Sequence, residues 1–123
     1  MNVKLDDIFF WLQLTGYNPR KIGNGSIVEF FVHGLSFLID CDNDYVRIRL
    51  SMSGCRWSPE DIQAAANYAM NRQRGIKIYM QDDLVLFSIE QYVSSWDYFR
   101  DNFNRYIMTF FSAAQDFASY HNL

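Results

Sequence analysis

Cysteine is scarce in this chain of 123 residues. Cys41 and Cys55 are its only two and form no C-x-x-C spacing, so they are expected to be free thiols in a reducing compartment, partly or wholly buried. Basic clusters are missing as well. Eleven Lys and Arg stand against fourteen Asp and Glu, a formal charge of -3, and no run of five or more basic residues occurs. Nucleic acid is therefore not an expected partner, because phosphate recognition rests on a concentrated positive field. Long apolar runs are also absent. The opening MNVKLDDIFFWLQLTG carries two Asp ahead of a short apolar stretch, which fits neither a signal peptide nor a membrane span. The expected location is the cytoplasm, with no membrane partner.

What the chain does have is apolar and aromatic bulk. Half of it is hydrophobic and 18% aromatic, with eleven Phe, eight Tyr and three Trp. Each buried aromatic contributes roughly 1.5–3 kcal/mol, enough in sum to offset chain ordering without disulfides or metal. The length fits a single domain over residues 1–123. Aromatics beyond what one small core can hide are expected at an interface.

Leu5 to Thr15 reads as a helix, with Asp6 and Asp7 at its positive end, Leu5, Ile8, Phe9 and Leu12 at helical spacing, and Gly16 as its stop. Tyr17 to Asn24 reads as a connecting loop. Ser26–Val32, Leu35–Cys41 and Tyr45–Ser53 follow as a strand meander joined at His33-Gly34 and at Asp42–Asp44. In its third strand Val46, Ile48, Leu50 and Met52 oppose Tyr45, Arg47, Arg49 and Ser51. In the first two strands Ile27, Phe31 and Leu38 fall on the outer side, which predicts a cover other than water there.

Ser58-Pro59-Glu60-Asp61 combines an N-cap, a proline at the first helical position and two acids that favour the helix dipole. The helix runs to about Gln73 with Ile62, Ala65, Ala66, Ala69 and Met70 on one face, and Gly75 ends it. Ile76–Met80 and Leu84–Glu90 make a hairpin across Gln81–Asp83, and the nearly continuous apolar run of its second strand implies cover on both faces. Ser94 or Ser95 caps a last helix striped by Trp96, Phe99, Phe103, Tyr106, Phe110, Ala113, Phe117 and Tyr120. The order α-β-β-β-α-β-β-α predicts an α+β domain with a mostly antiparallel, five-stranded sheet packed by helices.

The run Ala65-Ala66-Asn67-Tyr68-Ala69-Met70-Asn71-Arg72, followed by Ile76-Lys77-Ile78-Tyr79-Met80 and Asp82-Asp83, resembles the YbjN family. That family shares its fold with class I type III secretion chaperones. Asn71, Arg72 and the acidic hairpin match its helix end, basic turn and hairpin, and the likeness extends from about Leu5 to Tyr120. The sequence departs from the family in the many aromatics of its last helix and in Tyr68 and Met70, which stand where an aromatic nearer the Asn is expected. The resemblance implies a small acidic bacterial homodimer that binds another polypeptide, with no catalytic residues and no cofactor.

Other constellations favour structural roles. Asp40, Asp42 and Asp44 begin like a calcium loop, but Tyr45 stands where glycine and Ser51 where a bidentate glutamate is needed, so a hairpin turn is expected. Gly23-x-Gly25 precedes a strand and lacks a third glycine, which excludes a phosphate-binding loop. Cys41 with His33 or Cys55 has neither the base nor the orienting group that a nucleophile requires, and His121 reads as a tail residue. Asn24-Gly25-Ser26 is a formal glycosylation sequon that reads as a turn. Asp6-Asp7, Glu60-Asp61 and Asp82-Asp83 cap helices or turns.

The expected function is a non-enzymatic protein-binding module, with Ile27, Phe31 and Leu38 facing the partner and Ala65, Tyr68 and Ala69 at a contact between subunits. The alternative is a small-ligand sensor, or an enzyme of unrecognised mechanism, with a pocket between the last helix and the sheet lined by Tyr79, Arg47 and Arg49.

Overall fold

Gly16 ends the first helix because its backbone takes φ 85°, a left-handed conformation that glycine adopts at little cost. Helix α1 accordingly spans Leu5–Leu14, with Ile8 and Leu12 buried. In this computed structural model, residues 3–53 and 56–120 are described; Cys55 and His121 lie outside the described residues.

The stretch expected to be only a loop contains a strand, β1 (Arg20–Ile22). It pairs antiparallel with β2 (Ile27–Val32), Arg20 opposite Glu29 and Ile22 opposite Ile27, across a 3₁₀ turn at Gly23–Gly25. Three residues are too few to show a period. Their conformation is instead set by what they meet. The Phe31 amide donates to the Tyr17 carbonyl at 3.2 Å, and Lys21 reaches Asp6 at 2.7 Å while lying over the Phe9 ring. The sheet therefore has six strands where five were expected.

The remaining elements follow the sequence reading closely. β3 (Leu35–Asp42) is joined to β2 by His33 and Gly34, both at positive φ, as a tight hairpin turn requires. β4 (Tyr45–Met52) pairs with β3, and helix α2 (Pro59–Arg72) starts where the Ser58 hydroxyl accepts the Asp61 amide at 3.2 Å. β5 (Lys77–Gln81) and β6 (Leu84–Tyr92) form the second hairpin, and α3 (Trp96–Ser119) closes the chain. The Ser95 hydroxyl accepts the Tyr98 amide at 3.1 Å and so caps α3. The strand order is β1-β2-β3-β4-β6-β5.

By its internal packing the chain divides into two compact units, Met1–Leu50 with Glu90–Asn102 and Ser51–Ile89 with Phe103–Leu123. In the first, Phe30 stacks on Phe37 at 5.3 Å and Trp11 meets Phe99 and Trp96 edge-on, above a buried layer of Val28, Ile39, Val46 and Ile48. In the second, Phe117 of α3 contacts Phe87 of β6 at 5.7 Å and Trp57 at 5.3 Å. The continuous apolar run of β6 is buried from Val85 through Ile89, as cover on both faces demands. Both terminal strands of the sheet are blunted. β1 is short and carries Arg20 and Lys21, while the Ile78 amide of β5 donates to Met70 Sδ of α2 at 3.3 Å.

Candidate functional site

Alternation along β4 buries Val46, Ile48 and Leu50 and turns Tyr45, Arg47 and Arg49 to the opposite side. The two-residue turn at Asn43–Asp44 sets Asp42 opposite Tyr45, which places Asp40 opposite Arg47 and Leu38 opposite Arg49. Glu29 lies on the far side of Leu38, and Arg20 beyond Glu29. One row across four strands thus reads Arg20, Glu29, Leu38, Arg49.

Asp40 is the centre of this outer face. Its Oδ2 accepts from Arg47 Nε at 3.2 Å and Nη2 at 3.1 Å, and from Arg49 Nη2 at 3.3 Å. Charge-assisted bonds of this kind fix both arginine forks. The Nε of Arg49 is buried and finds no acceptor among the described residues. Nearby, Glu29 accepts from Ser36 at 2.7 Å and pairs with Arg20. The Ser36 hydroxyl above all holds its carboxyl below the usual carboxylate value; burial opposes it, and the Arg20 guanidinium adds to the lowering. At the β4 end, the Tyr45 hydroxyl donates to Glu90 at 2.9 Å under the ring of Tyr92.

Ile27, Phe31 and Leu38 lie on this same face. Ile27 and Leu38 are half-buried and Phe31 keeps 39% of its surface. The face is therefore a mixture, apolar side chains set among arginine–carboxylate pairs. Cross-strand charges around a two-residue turn were the available signal for the Asp40 pairs, since the register follows from the turn.

Ala65 and Ala69 are 0% exposed within the chain itself and offer no surface to a second subunit, because their small side chains seat α2 against the core. Tyr68 remains half-buried, its ring 5.3 Å from Tyr120 and 5.5 Å from the Arg72 guanidinium. Arg72 and Gln73 both hold Asp116, at 3.4 Å and 2.9 Å, a bracket between α2 and α3 whose members lie more than forty residues apart in sequence. Tyr79 is part-exposed on β5 in the second unit, whereas Arg47 and Arg49 belong to the first. The stripe of α3 that a ligand box would need is buried at Phe99, Phe103, Phe110 and Phe117.

The surroundings of Cys41 work against thiolate formation. Its thiol donates to the Val3 carbonyl at 2.8 Å and the Asn43 carbonyl at 3.1 Å, and burial, with the charges of Asp44, Asp40 and Asp42, pushes it up to about 11. His33 lies in the turn beyond the other end of β3, more than about 20 Å away at strand rise. Asp44 itself accepts the Val3 amide at 2.8 Å. An open groove of about 250 Å³ beside the thiol is lined by Val3, Lys4, Leu5, Cys41 and Asn43. No cluster of three His, Cys, Asp or Glu able to hold a metal occurs among the described residues, and no described helix is long and apolar enough to cross a membrane.

No protein-family model and no curated protein sequence matches this chain. A solved structure does: the crystal structure of "YbjN, a putative transcription regulator from E. coli" superposes with a TM-score of 0.74 at 12% identity, covering 98% of this chain and 93% of that one. The chain has a YbjN-like α+β fold, in agreement with the resemblance carried by Asn71, Arg72 and the Asp82-Asp83 hairpin.

Proposed function

We propose that this chain is a non-enzymatic protein-binding module of the bacterial cytoplasm, a homodimeric regulator or secretion chaperone of the YbjN kind that takes a segment of a partner polypeptide on the outer face of β2, β3 and β4. The observation that carries this reading is the apolar group Ile27, Phe31 and Leu38 on the sheet face opposite the aromatic core, Ile27 and Leu38 half-buried and Phe31 at 39% exposure. An extended or helical segment laid there gains apolar burial from these three and orientation from the fixed arginines. Dimerisation draws support from α1, where Phe10 at 57% and Leu14 at 86% exposure are neighbours one helical turn apart.

The test is site-specific photo-crosslinking in host cells from two positions, Phe31 on the outer face and Met108 on the exposed side of α3. Adducts to one recurrent polypeptide from position 31 and none from position 108 are expected. Equal labelling at both, or none at position 31, overturns the proposal. Light scattering that returns a monomer at every practical concentration removes its dimeric half.

A further inference from the structure

We infer that Arg47 and Arg49 form a carboxylate-binding point on the outer face, and that the partner segment carries an acidic side chain next to a large apolar one. The inference rests on the protein-binding reading above and names the chemistry of what is bound.

Two guanidiniums converge on one oxygen of Asp40, so the trio keeps one surplus positive charge. Burial of a guanidinium is tolerated when its N–H groups are matched by acceptors, and here the matching is incomplete. Arg49 Nε is buried without an acceptor among the described residues, although the side chain as a whole keeps 24% exposure and that of Arg47 keeps 41%. A second carboxylate on the exposed parts of the two forks would neutralise the surplus, with the planar fork favouring a two-oxygen anion.

The neighbours sharpen the choice of occupant. Leu38 sits directly opposite Arg49, about 5 Å away across the strands, and Phe31 lies on the same face. An acidic residue on the arginines therefore brings its apolar neighbour onto Leu38. A polyanion fits poorly, since Glu29 and Asp40 share the face and the surplus is a single charge.

The experiment uses the full chain on an array of peptides in matched sets, Glu beside Leu, Gln beside Leu and Lys beside Leu, at low ionic strength, with a single-stranded oligonucleotide as competitor. The Glu peptides are expected to bind about tenfold more tightly than their Gln counterparts, as charge-assisted contacts predict. The preference should vanish when Arg47→Gln and Arg49→Gln are combined and persist in Arg20→Gln. Should the double variant lose its circular-dichroism signature, Arg49→Lys reads the same question, because it keeps the charge and loses the fork. A preference reduced in that variant supports the site, and an unchanged one overturns it. Absence of a Glu preference, its survival in a folded double variant, or complete displacement by the oligonucleotide also overturns it. Crosslinks from position 31 that persist without any acid preference refute this inference alone, whereas loss of both refutes the protein-binding reading with it.

Discussion

At pH 8 a thiol with a pKa of about 11 is almost wholly protonated, and only the thiolate alkylates. With Cys55→Ser in the background, Cys41 is therefore expected to react with iodoacetamide roughly a hundredfold more slowly than an unhindered peptide thiol, followed by intact mass. A rate near that of the free thiol would show that burial and the charges of Asp44, Asp40 and Asp42 do not act on Cys41 in solution. Glu29 is shifted the opposite way. Its folded carboxyl lies below the usual value of about 4.3, so the stabilisation from Ser36 and Arg20 is fully present above that value and is lost as pH falls through the lowered pKa. Glu29→Gln should accordingly lower the urea midpoint at pH 7 and leave it close to the native one under strongly acid conditions. A midpoint difference that stays constant across pH would rule out the bonds of the ionised carboxylate to Ser36 and Arg20 as its source.

Helix α2 is the element whose start is most completely written in local sequence. Ser58 offers the side-chain acceptor, Pro59 needs no amide partner, and Glu60 and Asp61 favour the dipole. Ser58→Ala is expected to cost about 1 kcal/mol of unfolding free energy, read by urea denaturation with an unchanged slope. No loss would mean that the first turn is held by packing of Ile62 and not by its cap. The three-residue β1 is the opposite case, since nothing in Arg20-Lys21-Ile22 distinguishes a strand from a loop. It exists because Glu29, Val28 and Ile27 present a free ladder and because Asp6 and Phe9 receive Lys21.

At the scale of the whole sheet, β1 is short and charged and the Ile78 amide of β5 is taken by Met70, features that disfavour strand addition at those positions. Leu14, the most exposed large apolar side chain among the described residues, is the sharpest probe of the proposed dimer. Leu14→Asp should shift the light-scattering mass toward the monomer without changing the thermal midpoint by more than a few degrees. An unchanged dimer would move the contact elsewhere. By itself the sequence determined the helix ends, the turns, the strand alternation and the buried stripe of α3, because caps, positive-φ turn positions and apolar periodicity act within a few residues. Only the tertiary structure decided that β1 is a strand, that Ala65 and Ala69 are sealed inside the chain, and that Asp116 gathers two partners. Those outcomes depend on register and on residues distant in the chain, whose meeting is set by the packing of the whole and by no local pattern.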